Sequence, residues 1–212
     1  MTPRLLVLSA PSGGGKTTLA RTLLATRPDV AYSVSATTRA PREGEVDGQA
    51  YHFLDRATFE RRVAAGEFLE WAEYAGNLYG TLRDEVRRIL AGGRHAVLDI
   101  EVQGARQVRR SFPDALLVFV VPPSAAILLE RLQARGAMPP DVVQARLLTA
   151  VEELAAVGEY DFVVVNDRLD AAVAALGATL AGEGRRPGDP ELAMMIRTMR
   201  RDLASAAGAT AV

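Results

Sequence analysis

The clearest chemistry in the chain lies in eight consecutive residues, Ala10-Pro11-Ser12-Gly13-Gly14-Gly15-Lys16-Thr17. They follow a short apolar run, Leu5 to Ser9, and precede the apolar positions Leu19, Ala20, Leu23 and Leu24 at helical spacing. A buried strand that breaks into glycines and then opens a helix is the setting of a phosphate-binding loop. The glycines let backbone N–H groups turn inward around phosphate oxygens, and the helix N-terminus adds a favourable partial charge. In such a loop Lys16 bridges the β- and γ-phosphates of a nucleoside triphosphate, and Thr17 ligates Mg²⁺. Ala10 departs from the pattern, which has glycine at its first position. The competing reading is a glycine-rich turn without ligand. Composition weighs against it, because Lys16 is the sole lysine among 25 cationic side chains and every other one is arginine.

A second candidate is Asp99, which closes the apolar run Ala96-Val97-Leu98. A carboxylate at the carboxyl end of a parallel strand borders the crevice where ligands bind in such sheets, and it can serve the Mg²⁺ shell. The rest of the composition mainly excludes. A chain of 212 residues with 49% hydrophobic and 24% charged residues suits one α/β domain with a small inserted lobe. A net charge of -1 gives no support to broad nucleic-acid binding. The absence of cysteine excludes disulfides and thiolate chemistry, and His52 and His95 are too few for a histidine metal site. Apolar runs such as Leu116 to Val121 are strand-sized and too short to span a bilayer, so a cytoplasmic protein with no membrane partner is expected.

The elements that must position these residues alternate. Tyr51 to Leu54 and Phe68 to Tyr74 read as strands, with Asp55 capping a helix to about Ala65 between them. Ala75-Gly76-Asn77 reads as a turn, and Thr81 with Asp84 as a capping box opening a helix to about Leu90. Ala96 to Ile100, Leu116 to Val121 and Phe162 to Val165 are continuous apolar runs of the kind parallel strands need when both faces are covered. Helices are expected over 103–110, 124–134, 140–157 and 169–180, and a terminal amphipathic helix over 191–203. The order predicts a parallel three-layer α/β/α core interrupted by a small, mostly-β lobe.

The phosphate loop alone allows GTPases, ATPases and small-molecule kinases. The stretch from Ser33 to Gly48, with Ser35-Ala36-Thr37-Thr38-Arg39-Ala40-Pro41-Arg42 at its centre, closely resembles the acceptor segment of the guanylate kinase family. Phe68 to Thr81, Leu98 to Gly104, Leu132 to Gly136 and Tyr160 to Asp167 resemble that family's further motifs in the right order, over about residues 4 to 181. The resemblance implies a P-loop kinase that converts ATP and GMP to ADP and GDP with Mg²⁺. It implies a domain over 1–184, with a core (1–32, 83–123 and 158–184), a GMP-binding lobe (33–82) and a helical lid (about 124–157), followed by a linker, helix and tail over 185–212.

Roles follow from the resemblance residue by residue. It implies ATP binding by Ala10, Pro11, Ser12, Gly13, Gly14, Gly15, Lys16, Thr17 and Thr18, with Asn166 and Asp167 in the loop that contacts adenine. The GMP phosphate falls to Arg39, Arg42, Tyr51 and Tyr79 with Ser35 nearby, since guanidinium forks and phenol hydroxyls suit a dianion. Glu70 becomes the guanine reader, Thr81 the partner of O6, and Asp99 a GMP-site residue that also reaches Mg²⁺ through water. Lys16, Arg39, Arg42, Arg131, Arg135 and Arg146 are the implied catalytic cations, the last three from the lid that closes to exclude water. Two rivals are weighed against this reading. A kinase with a sugar phosphate acceptor would leave Glu70 and Thr81 idle, and a non-catalytic phosphopeptide-binding module would not need Gly15-Lys16-Thr17. A GTPase is disfavoured because its Asn-Lys-x-Asp guanine motif needs a second lysine.

Overall fold

The computed structural model describes residues 2–134 and 139–208, so the expectation for Arg135 lies outside the described residues. The first half holds β1 (Leu5–Ser9), α1 (Lys16–Thr26), β2 (Val30–Tyr32), β3 (Ala36–Thr37), β4 (His52–Phe53), α2 (Arg56–Ala64), β5 (Phe68–Tyr74), β6 (Asn77–Leu82) and α3 (Arg83–Ala91). The second holds β7 (His95–Asp99), α4 (Val102–Ser111), β8 (Leu116–Val121), α5 (Ala125–Gln133), α6 (Pro140–Ala155), β9 (Phe162–Val165), α7 (Leu169–Thr179) and α8 (Pro190–Ala206). A 3₁₀ turn, Ala156–Glu159, follows α6. A five-stranded sheet has the order β2-β7-β1-β8-β9, and a four-stranded sheet the order β4-β3-β6-β5. In the larger sheet β2 pairs with β7, and β8 with β9, both parallel. Its strands are buried almost throughout, which is why they appear in the sequence as unbroken apolar runs. No described helix is long and apolar enough to cross a membrane.

The chain divides into two compact units, Met1–Val7 with Thr26–Ala115, and Leu8–Ala25 with Leu116–Val212. The four-stranded sheet belongs to the first and has a core of its own. Ala36, Phe59, Phe68, Leu78 and Leu82 are buried together, with Leu54 and Val63 packed against them. Phe59 of α2 stacks on Phe68 of β5 with ring centroids 4.4 Å apart. Asp55 caps α2 as its sequence context predicts, its carboxylate accepting from the Thr58 N–H at 2.8 Å.

Within the second unit α8 packs on α6 and α5 through Leu192, Ile196, Met199 and Leu203, one stripe at helical spacing. The segment leading to it is anchored. The Val163 N–H donates to the Arg185 carbonyl at 2.9 Å, and the Arg186 guanidinium lies 4.9 Å from the Phe162 ring centroid.

Two sequence expectations fail here. Residues 77–82 form β6, and α3 is preceded by Leu82 at its N-cap with no side-chain cap bond. Thr81 and Asp84 have the spacing of a capping box, but a cross-strand carboxylate claims the Thr81 hydroxyl instead. The short β2 was also missed, because three residues after Pro28 are too few to show a period.

Candidate active site

The phosphate loop is built between β1 and α1. The Gly14 N–H donates to the Pro11 carbonyl at 2.8 Å, which folds the loop back, and the Gly15 carbonyl accepts from the Leu19 N–H at 3.0 Å as α1 begins. The first turn of α1 carries no acidic residue, so its positive end is left for an anion. Lys16 is half-buried at this start, while Thr17 and Thr18 are exposed. Ala10 is tolerated as the first loop residue because its buried methyl packs against Gly14, which has no side chain to oppose it.

Three side chains of the same unit converge on this loop. Asn166, directly after β9, is buried, and its Nδ2 donates to the Gly14 carbonyl at 3.0 Å. Arg131 of α5 donates from Nη2 to the Asn166 carbonyl at 3.0 Å, whereas its Nη1 is buried with no partner. Glu153 of α6 accepts from the Ser12 N–H at 3.4 Å through Oε2. Asp167 is exposed, and Arg146 lies half-buried in α6.

The arginine–tyrosine cluster lies in the first unit. The guanidinium of Arg39 is 5.4 Å from the Tyr51 ring centroid and 5.9 Å from that of Phe53. Tyr51 and Tyr79 meet edge to face at 6.1 Å. Glu45 orders this loop, accepting from Arg39 Nη2 at 2.8 Å and from the Arg42 N–H at 2.7 Å. Those two bonds, the Arg39 one first, hold the Glu45 carboxyl below the usual carboxylate range. Arg42 is exposed, and Ser35 is half-buried with its carbonyl accepting from the His52 N–H at 2.9 Å. Asp99 is half-buried at the carboxyl end of β7.

Glu70 is the most unusual polar group in the unit. It sits opposite Thr81 in the β5–β6 ladder, just past a register shift between Phe68 and Glu70. That irregularity puts Phe68, Leu69 and Glu70 inside in succession, where a regular strand would alternate. Glu70 is only 7% exposed, and the Thr81 hydroxyl donates to its Oε1 at 2.7 Å. Burial pushes the Glu70 carboxyl up from its ordinary value, and the Thr81 hydrogen bonds partly oppose the shift. The Thr81 proton is thus committed to Glu70 in this structure, and a contact with guanine O6 would require that hydroxyl to turn.

The structure also brings in residues with no role in the sequence reading. Gly104, in the first turn of α4, lies against the other side of Glu70, where a Cβ would stand 2.9 Å from Oε2. A glycine inside a helical pattern was the available signal. Gln107 of α4 donates to the Trp71 carbonyl at 2.9 Å and accepts from the Trp71 N–H at 3.1 Å, which caps edge strand β5 beside Glu70. Glu45 lies inside the Ser33–Gly48 stretch without a role of its own there, and Glu153 left no signal, being one acidic residue among 26.

The chain as a whole is similar to known proteins. The family model described as guanylate kinase matches residues 2–183. The guanylate kinase of Rubrobacter xylanophilus is 55% identical over 169 residues, covering 80% of this chain and 88% of its own length. That of Synechococcus sp. (strain CC9902) is 56% identical over 170 residues, with coverage of 80% and 91%. Among solved structures, the crystal structure of guanylate kinase from Anaplasma phagocytophilum superposes with a TM-score of 0.65 at 31% identity, covering 97% of this chain and 95% of that one. With a glycine loop around its single lysine and a family match over most of its length, this chain belongs to the guanylate kinase family.

Proposed function

We propose that the chain transfers the γ-phosphoryl group of ATP to GMP, giving ADP and GDP, in the cytoplasmic recycling of purine nucleotides. The observation that carries this reading is the buried Glu70 carboxylate, tied on one oxygen by Thr81. An ionised carboxylate only accepts, and guanine offers the adjacent donors N1–H and 2-amino, both missing from that edge of adenine. A buried acceptor left unsatisfied is costly, so the site favours the base that supplies donors.

Arg39, Arg42, Tyr51 and Tyr79 with Ser35 would hold the GMP phosphate, and Asp99 would serve the same site. The loop residues Ala10, Pro11, Ser12, Gly13, Gly14, Gly15, Lys16, Thr17 and Thr18 would hold the ATP phosphates, and Asp167 would border the adenine. A GMP phosphate oxygen attacks the γ-phosphorus in line. The bond from that phosphorus to the bridging oxygen breaks, and ADP leaves with the electron pair. No protein nucleophile is needed. Lys16, Arg131, Arg135 and Arg146 neutralise the charge shared by the transferring group, and the unpartnered buried Nη1 of Arg131 suits an incoming phosphate oxygen.

The Thr17 hydroxyl and the Asp99 carboxylate, the latter through water, are hard oxygen donors that fit Mg²⁺. Among the described residues no three His, Cys, Asp or Glu side chains gather into a metal cage, which suits an ion carried largely by phosphate oxygens. When bound, Mg²⁺ neutralises the β- and γ-phosphates. Separation of the nucleotides after incubation with ATP, Mg²⁺ and GMP tests the reaction. Equimolar ADP and GDP are expected, and ADP with free phosphate but no GDP would overturn it.

A further inference from the structure

The resemblance places Asn166 in an adenine-contacting loop, yet its side-chain amide nitrogen is hydrogen-bonded to the phosphate loop. Asn166 is buried, and its main-chain N–H continues the sheet by donating to the Val121 carbonyl at 2.7 Å. Its side-chain Nδ2 donates to the Gly14 carbonyl at 3.0 Å. Its own carbonyl accepts from Arg131 Nη2 at 3.0 Å. Contact with the loop is close enough that a Cβ on Gly15, whose φ is +88°, would collide with Nδ2 of Asn166.

Resting on the phosphoryl-transfer reading above, we propose that Asn166 is a positioning residue for phosphate binding, which orients the Gly14–Gly15 peptide and the Arg131 guanidinium. In a trans peptide the C=O and the following N–H point in opposite directions. A Gly14 carbonyl held toward Asn166 therefore turns the Gly15 N–H away from it, so that it donates to a phosphate. The second bond acts on the cation. With Nη2 of Arg131 fixed on the Asn166 carbonyl, the partnerless Nη1 stays beside the loop, 3.7 Å from where a Gly15 side chain would begin. One residue thus sets a neutral and a charged donor for the same anion, and it does so whatever base the nucleotide carries.

The test separates phosphate binding from base reading. Asn166→Asp keeps the shape and replaces the Nδ2 donor with an oxygen that repels the Gly14 carbonyl. Asn166→Ala adds no buried charge and carries the test should the aspartate variant not fold, as thermal melting will show. Tripolyphosphate, which has no base, is titrated by calorimetry, and KM is measured for ATP, ITP and GMP. Binding of tripolyphosphate and the KM of both ATP and ITP should weaken by about 10- to 100-fold, on the scale of one misdirected donor to a charged group, with KM for GMP unchanged. Variants that bind tripolyphosphate like the parent overturn the proposal, as does a loss confined to ATP, which would make Asn166 an adenine reader. A parent chain that binds no tripolyphosphate refutes the kinase reading itself, a result distinct from both.

Discussion

Replacing Gly104 with alanine should separate nucleotide selectivity from stability. The added Cβ would stand 2.9 Å from Glu70 Oε2, 3.2 Å from Ile100 Cδ1 and 3.4 Å from Glu70 Cδ. Ordinary contact begins near 3.4 Å, so the carboxylate must withdraw by about half an ångström. It cannot do so freely, because Oε1 is tied to the buried Thr81 hydroxyl at 2.7 Å. A shift of that size degrades at least one guanine hydrogen bond to a charged acceptor, worth about 1.5–3 kcal/mol. That corresponds to about a 10- to 150-fold loss in kcat/KM for GMP. Alanine meanwhile removes the helix penalty of glycine, about 0.5–1 kcal/mol at most in this first turn of α4, which offsets part of the crowding cost of about 1–3 kcal/mol at this buried position, so the melting temperature should hold or fall by only a few degrees. Steady-state kinetics with each nucleotide varied, alongside thermal melting, reads both effects. A variant within threefold of the parent for GMP would refute the tight Glu70 pocket.

Three further perturbations follow from named groups. Glu70→Gln should lose most GMP turnover yet raise the melting temperature at neutral pH. Burial lifts the folded pKa of Glu70, so as pH rises above about 4.5 the unfolded chain ionises first and native stability is lost. In the parent, kcat/KM for GMP should fall as acid protonates Glu70 at its raised value, and a Glu70→Gln variant that melts lower at pH 7 would contradict the burial argument. Lys16→Arg should fold normally and lose roughly 100-fold in kcat, because a wide guanidinium cannot take the place of a compact ammonium inside the loop. Activity within a few-fold would show that charge alone suffices. Burial lowers the pKa of His95, with Asp29 partly opposing, and its Nδ1 accepts from the Arg4 N–H at 3.0 Å. The stability this gives is full above about pH 6.5 and is lost as pH falls toward the depressed folded value. Urea unfolding at pH 7.5 and 5.5 should show a smaller loss for His95→Gln than for the parent, and equal losses would refute it.

What could be read in the sequence was whatever leaves a local pattern. The strands β8 and β9 appear as apolar runs with the limits the structure gives, and the phosphate loop is announced by glycines between a strand and a helix. Contacts distant in sequence left no such trace. Gly104 touches Glu70, and Asn166 reaches Gly14 across 152 residues, so neither pairing has a spacing to recognise. Thr81 shows how a local signal can mislead. Its capping-box spacing with Asp84 is real, but a buried carboxylate needs a donor more than a solvated helix end does, and the hydroxyl went to Glu70. The bulge beside Glu70 likewise breaks the alternation, burying Phe68, Leu69 and Glu70 in succession, so the face of residue 70 could not be read from a period of two.

The most direct measurement is a coupled assay of ADP formation with ATP and Mg²⁺, offering GMP, AMP, CMP and UMP in turn to the same preparation. A site whose buried acceptor must be met by two adjacent donors should favour GMP by on the order of 10⁴ in kcat/KM. Comparable rates with AMP and GMP would contradict Glu70 as the reader of the base and, with it, the chemistry proposed for this chain.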